Sequence, residues 1–272
     1  IPQYKLLNFN MTLEEFKIIF YWEYFHRVLA RIIGLFFLIP LIFFYFSKKI
    51  NKDYIKICFF IFCLIIFQGI IGWFMVQSGL VNDVTVSHYR LSIHLSTAMV
   101  IISLIFWLII NIKLKKKKFF FRFSFENLPF QFLLLLIFFQ VIVGAFVSGL
   151  DAGKIYPTWP KMGDTFIPND LYFKNISDFF NFNNHSLVQF YHRSLAYIIF
   201  LYVLILTFFI YEKKLVNLFK PVKILISILL LQAILGIFTL VSGLNIFLAS
   251  AHQITSVLLV FSALNLYYLR TK

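Results

Sequence analysis

Seven apolar runs, each long enough to cross a bilayer, constrain this chain more than any other feature. A hydrocarbon core takes about 20 residues of helix. The runs lie at about 21–46, 56–76, 92–112, 130–148, 189–211, 222–242 and 247–269. Thr12 followed by Glu15 spells a capping box, so the first helix is expected to start before its apolar run and project above the membrane. Composition agrees: 61% of residues are hydrophobic, 13% are charged, and mean hydropathy is +0.87. Soluble domains carry about 25% charged residues, so a water-soluble globule is excluded, and disorder with it. The expected fold is all-α and polytopic. Phe occurs 38 times, which reads as compositional bias rather than function. Cys58 and Cys63 both lie inside one apolar run, where C-x4-C makes neither a disulfide framework nor a metal box. The chain begins at Ile1 with no signal-peptide pattern, and a segment upstream is expected.

A formal charge of +14 suggests nucleic acid until the basic residues are placed. Lys48, Lys49, Lys52 and Lys56 follow the first span; Lys113, Lys115, Lys116, Lys117, Lys118 and Arg122 follow the third. Lys213, Lys214, Lys220 and Lys223 follow the fifth, and Arg270 and Lys272 end the chain. Alternate loops thus hold sixteen of the 25 basic residues. Lys5, Lys17, Arg90, Lys154, Lys161 and Lys174 are all that face the other way. The positive-inside rule puts the C-terminus inside and rules out a nucleic-acid partner. The Lys113–Lys118 run is expected to be a solvated cytoplasmic loop, not a binding patch.

The chain also repeats itself. His26-Arg27 recurs as His192-Arg193, 166 positions later. Gln68-x3-Gly72-x5-Ser78-Gly79-Leu80 recurs as Gln232-x3-Gly236-x5-Ser242-Gly243-Leu244, and His94 as His252. The fourth span carries Gln140, Gly144 and Ser148-Gly149-Leu150, and its counterpart before the first is absent. The expected architecture is therefore two pseudo-repeated four-helix bundles, with the first helix of the first bundle missing. Residues 1–118 would form a three-helix N-terminal half and 119–272 a C-terminal four-helix bundle.

His26, His94, His192 and His252 all fall near the outer ends of outside-to-inside spans. Ionisable residues within a membrane are functional candidates by default. Haem iron takes axial imidazoles from facing helices. Zinc wants three or four ligands, and each half offers two histidines with no Cys or Asp at their depth. Interfacial snorkelling is the plainer alternative. Arg27 and Arg193, directly after histidines, could pair with haem propionates. Glu23 lies three residues before His26, where the second copy has Gln189 before His192. A carboxylate in one half and an amide in the other suggests proton chemistry in the first only. The loop over about 149–188, dense in Gly, Pro and Trp, reads as a rigid cover over the bundle mouth. His88 and His185 are expected to be surface residues of external loops.

Together, Glu23-x-x-His26-Arg27, Val86-Ser87-x-Tyr89-Arg90-Leu91-x-x-His94-Leu95, Gly149-Leu150-Asp151-Ala152-Gly153 with Thr158-Trp159-Pro160, Val188-Gln189-Phe190-x-His192-Arg193 and His252-Gln253 resemble the haem A synthase family. The form resembled is that of alphaproteobacteria and mitochondria. The resemblance implies eight spans in two similar halves, and oxidation of the C8 methyl of haem O to the formyl of haem A for cytochrome oxidase. It implies a cofactor haem b held by His192 and His252. His26 and His94, with Arg27, would bind the substrate haem, and Glu23 would assist the chemistry. Another branch carries cysteine pairs in external loops; none stands there in this chain, so thiol-linked mechanisms do not transfer.

A haem O synthase is the partner such an enzyme implies, and its electron acceptor leaves no legible motif. Membrane lipid surrounds the chain, and Gly in the second and sixth spans allows close packing into a homo-oligomer. A bacterial inner membrane is expected, with the mitochondrial inner membrane as the alternative. Two other readings compete. A dihaem b-type electron carrier needs the same histidines but gives no reason for Glu23 against Gln189. A transporter needs a polar path through the midplane, and these spans show almost no charge below their outer turns.

Overall fold

The computed structural model describes residues 10–79 and 86–271. Ile1, Lys5, Leu80 and Lys272, on which parts of the sequence reading rest, lie outside them. Among the described residues the long elements are seven helices: α1 (Leu13–Ser47), α2 (Lys52–Gly79), α3 (His88–Lys113), α4 (Leu128–Gly149), α5 (His185–Glu212), α6 (Phe219–Val241) and α7 (Ile246–Arg270). Each is long and apolar enough to cross a membrane, and the chain is a multi-pass membrane protein. The shortest has 22 residues, about 33 Å of helix, which already spans a hydrocarbon core.

Local chemistry sets the ends. Glu15 N donates to Thr12 Oγ1 at 3.3 Å and Thr12 N to Glu15 Oε2 at 2.8 Å, so the expected capping box forms and α1 starts eight residues before its apolar run. The Asn184 side chain caps α5 by accepting from Leu187 N, and Asn245 caps α7 by accepting from Phe247 N and Leu248 N. Pro129 sits in the first turn of α4, where its missing N–H costs nothing.

The chain divides into two compact units, Ile1–Ile101 and Ile102–Lys272. In the first, α1 packs along α2. In the second, α6 lies along α7 and α4 along α5, while α4 also meets α7 and α5 meets α6. These four helices therefore close into a bundle. The division falls inside α3 because its last turns join that bundle. Phe106 stacks on Phe261 with centroids 4.3 Å apart, and the Tyr268 hydroxyl donates to Asn111 Oδ1 at 3.0 Å. Large side chains such as Phe36, Phe46 and Phe208 point outward. In water such a surface would aggregate, and in a bilayer it is the solvated one.

One expectation is corrected here. His88 is not a surface residue of a loop: it opens α3 and is only 7% exposed, its ring beside Tyr89 at 4.1 Å. His185 likewise opens a helix, α5, but is exposed.

Candidate functional site

Three of the four span histidines sit in the same kind of seat. His94, His192 and His252 are the seventh, eighth and seventh residues of α3, α5 and α7, about 10 Å in from the helix start. Each faces a Gln-x3-Gly on the helix before it, whose i,i+4 spacing puts both residues on one face. The glycines make room. A methyl on Gly72 would lie 3.1 Å from His94 Cε1, one on Gly144 3.1 Å from His192 Cε1, and one on Gly236 2.9 Å from His252 Cε1.

The glutamines hold what the glycines admit. Gln68 Nε2 donates to the His94 carbonyl at 2.9 Å, and Gln140 Nε2 to the His192 carbonyl at 3.0 Å. Gln140 Nε2 also lies 3.2 Å from His192 Nδ1. His252 Nδ1 is 3.1 Å from the Gln232 carbonyl, and Gln232 Nε2 is 3.4 Å from His252 Nε2. A carbonyl only accepts, so Nδ1 of His252 carries the hydrogen, and the lone pair of Nε2 faces the Gln232 amide. A metal-bound imidazole is oriented in that way, by donating its other N–H to a carbonyl.

Among the described residues, several buried polar atoms here have no hydrogen-bond partner: Nδ1 of His94 and Oε1 of Gln68, Gln140 and Gln232. A buried polar atom left unpaired costs about 1–3 kcal/mol. Four of the nine such atoms among the described residues fall at these histidine seats, which makes the seats candidates for a bound group. His192 and His252 are within electrostatic range of each other, as are His26 and His94. Among the described residues no three His, Cys, Asp or Glu side chains gather as they would around a bare metal ion. Two imidazoles per unit suit haem iron, which takes its equatorial ligands from the porphyrin.

The loop between α4 and α5 is fastened to the first turns of α5 by one helix face. Ser186 Oγ donates to Asp170 Oδ2 at 2.5 Å. Gln189 Nε2 donates to the Tyr156 carbonyl at 3.0 Å. Arg193 donates to the carbonyls of Tyr156 at 2.7 Å, Thr158 at 2.8 Å and Lys161 at 3.3 Å. Gly153 completes the fit, because a methyl there would come within 2.7 Å of Leu244 Cδ2. In the first copy, Glu23 and Arg27 stand where Gln189 and Arg193 stand in the second. Their closest approach is 3.7 Å, with side chains 50% and 33% exposed.

Asp170 also accepts from the Tyr156 hydroxyl at 2.6 Å. Burial works against its charged form, yet the hydrogen bonds from Ser186 and Tyr156 outweigh it and hold the carboxyl below its ordinary value of 3.8. The stability this adds is present above the unfolded value and lost as pH falls through the folded one. The loop should therefore stay fastened from neutral pH down to about 4 and loosen below that. Hydrogen exchange of residues 152–170 reads this directly, and Asp170→Asn should remove the pH step. The same loss of protection on acidification in Asp170→Asn as in the wild type would rule it out.

Comparison with known proteins now bears on this geometry. The model of the cytochrome oxidase assembly protein family, COX15-CtaA, matches residues 1–264. The chain belongs to that family. The heme A synthase of Pelagibacter ubique (strain HTCC1062) is 49% identical over 264 residues, covering 96% of this chain and 76% of that protein. The heme A synthase of Wolbachia pipientis wMel is 40% identical, covering 99% and 76%. That of Rickettsia prowazekii (strain Madrid E) is 36% identical, covering 98% and 80%. Family membership gives the repeated seats a context: they stand in a chain of an oxidase-assembly family. The histidines were legible in the sequence as candidates, but the six Gln and Gly residues that seat three of them were visible only as a repeat.

Proposed function

We propose that this chain is a haem A synthase, a membrane oxidoreductase that oxidises the C8 methyl of haem O to the formyl of haem A for cytochrome oxidase. The observation that carries the reading is the recurring Gln-x3-Gly seat facing His94, His192 and His252, in a chain whose relatives bear that name. His192 and His252 would hold a resident haem b in the Ile102–Lys272 unit, where Gly144 and Gly236 admit the two rings and Gln140 and Gln232 orient them. When bound, that haem supplies the electron-transfer chemistry that no side chain here can. His26 and His94 would receive the substrate haem O. Glu23, one helical turn before His26, would take up and return protons at its carboxylate. Arg27, 3.7 Å from Glu23, brings positive charge to the same place for a propionate. Arg193 already gives Nη1 and Nη2 to loop carbonyls, so its part in holding a propionate is to fasten the cover and lend its charge.

In this reading the halves meet near residues 118 and 119. The first is the substrate half, and the second, 119–272, the cofactor half. The histidine ends of the helices face the outer side of a bacterial inner membrane, with the lysine clusters and C-terminus inside. An electron acceptor completes the reaction, and a haem O synthase supplies its substrate.

Haem extraction and mass spectrometry test this. In a cell that makes haem O, expressing the chain should produce haem A, and the purified protein should carry a non-covalent b-type haem. Unchanged haem O beside two b-type haems per chain would instead identify a dihaem electron carrier.

A further inference from the structure

The loop from α4 to α5 ends in a segment that is apolar yet uncovered. Seven of the twelve residues 171–182 are apolar, and Lys174 and Asp178 are its only charges. Tyr172, Ile176 and Phe180 are 76, 80 and 67% exposed. The segment is folded all the same. Asp178 Oδ2 accepts from Lys174 N at 2.8 Å and from Asn175 N at 2.9 Å, at the start of a 3₁₀ turn over Ile176–Phe180. Phe173 stacks on Phe179 with ring centroids 4.1 Å apart. Large apolar side chains held outward in this number mark a contact with lipid or with another protein.

Two spans gauge the height of the segment. The Tyr191 hydroxyl of α5 donates to the Phe179 carbonyl at 3.0 Å. Tyr191 stands 22 residues, about 33 Å, before Lys213 at the far end of that helix. Lys213 and Lys214 mark the far boundary of the span, because a pair of lysines is costly in hydrocarbon. On α4, Phe146 packs against Phe182 with centroids 5.4 Å apart, and it lies eighteen residues, about 27 Å, from the helix start at Leu128. A hydrocarbon core is about 30 Å thick, and the two headgroup layers together add about 10–15 Å. Phe182 therefore stands at the edge of the hydrocarbon, and Phe179 lies in the headgroup layer at the histidine end of the helices. That level favours lipid over a protein partner. Lys174, Asn175 and Ser177 are exposed as well, as a segment with headgroups on one side and acyl chains on the other requires.

We propose that residues 171–182 are an interfacial foot by which the α4–α5 loop stands on the membrane. Tyr172, Ile176 and Phe180 sit among phospholipid headgroups and upper acyl chains, where aromatic and apolar side chains are favoured. Lys174 and Asp178 balance, so the foot takes phospholipid of either charge. Tyr191 directly precedes His192, and the foot thus fixes the loop at a set height beside that histidine.

A nitroxide on Ile176→Cys tests the placement, in a full chain carrying Cys58→Ala and Cys63→Ala and set in phosphatidylcholine vesicles. It should collide with oxygen more often than with a water-soluble nickel chelate. The same label on Asp164→Cys, an exposed charged position of the same loop, is the reference for water. An oxygen-to-nickel ratio at Ile176 no higher than at Asp164 would leave the face to water or to a protein partner, and would overturn the foot. Anchoring is read separately. Tyr172, Ile176 and Phe180 replaced together by Ser remove little contact with the protein, since all three are largely exposed. In lipid nanodiscs the triple variant should nevertheless speed hydrogen exchange of residues 172–182 about tenfold or more, because burying even one such side chain fully is worth that factor. Exchange equal to wild type in nanodiscs would also sink the proposal. Neither readout involves haem, so the foot stands or falls apart from the proposed chemistry.

Discussion

If His192 and His252 hold a haem as proposed, Gly236→Ala should empty that site without unfolding the Ile102–Lys272 unit. The added methyl would stand 2.9 Å from Cε1, 3.4 Å from Nδ1 and 3.6 Å from Nε2 of His252, so the ring cannot keep its place. Rotating it away breaks the contact of Nδ1 with the Gln232 carbonyl, and with it the tautomer that offers Nε2 to a metal. The helix itself gains, because Ala is favoured over Gly inside a helix by about 1 kcal/mol. Loss of haem is thus expected against unchanged or raised helix stability, a pairing that general misfolding does not produce. Soret absorbance per mole of purified protein should fall about tenfold, as expected when one axial ligand is lost at a cost of about 1.4 kcal/mol or more. Gly144→Ala, whose methyl would reach 3.1 Å from His192 Cε1, should give a smaller loss of the same kind. Gly69→Ala is the control, since nothing lies within 4 Å of its methyl. Full haem content in Gly236→Ala would remove His252 from the ligand set.

Much of the fold could be read directly from the chain. Apolar runs give helices because a lipid-facing helix needs no second element to hide its side chains, so length alone decides. The start of α1 followed from Thr12 and Glu15 because a capping box is local. What resisted reading is non-local. Gln68, Gln140 and Gln232 were visible as a repeat, but nothing in a spacing says that an imidazole lies opposite. His88 looked like a loop residue because its apolar run begins later, and only packing buries it. Gln189 was set against Glu23 as the member that does no proton chemistry. Its amide has a further reason: it ties down Tyr156, 33 residues earlier in the chain.

That second reason for Gln189 sharpens what replacing Glu23 should do. Glu23→Gln makes the first copy match the second at this position, yet the two environments differ. Gln189 is 2% exposed and spends its Nε2 on a carbonyl, whereas Glu23 is half-exposed and its closest cation is Arg27 at 3.7 Å. An ion pair so open to its surroundings is worth at most about 1 kcal/mol. Glu23→Gln should therefore leave folding, b-type haem content and bound haem O as they are. Haem A, however, should fall by about a hundredfold or more, the usual contribution of a positioned acid or base. The reciprocal Gln189→Glu should not create a second reactive half. It would set a carboxylate against the Tyr156 carbonyl in a buried place and lose a donor there, at about 1–3 kcal/mol. The expected result is a loosened 152–170 segment, seen as faster hydrogen exchange, with haem A reduced only through that disorder. Extracted haem from cells carrying each variant separates the two effects. Wild-type haem A from Glu23→Gln would show that the carboxylate has no part in the reaction, and would leave its difference from Gln189 to the loop alone.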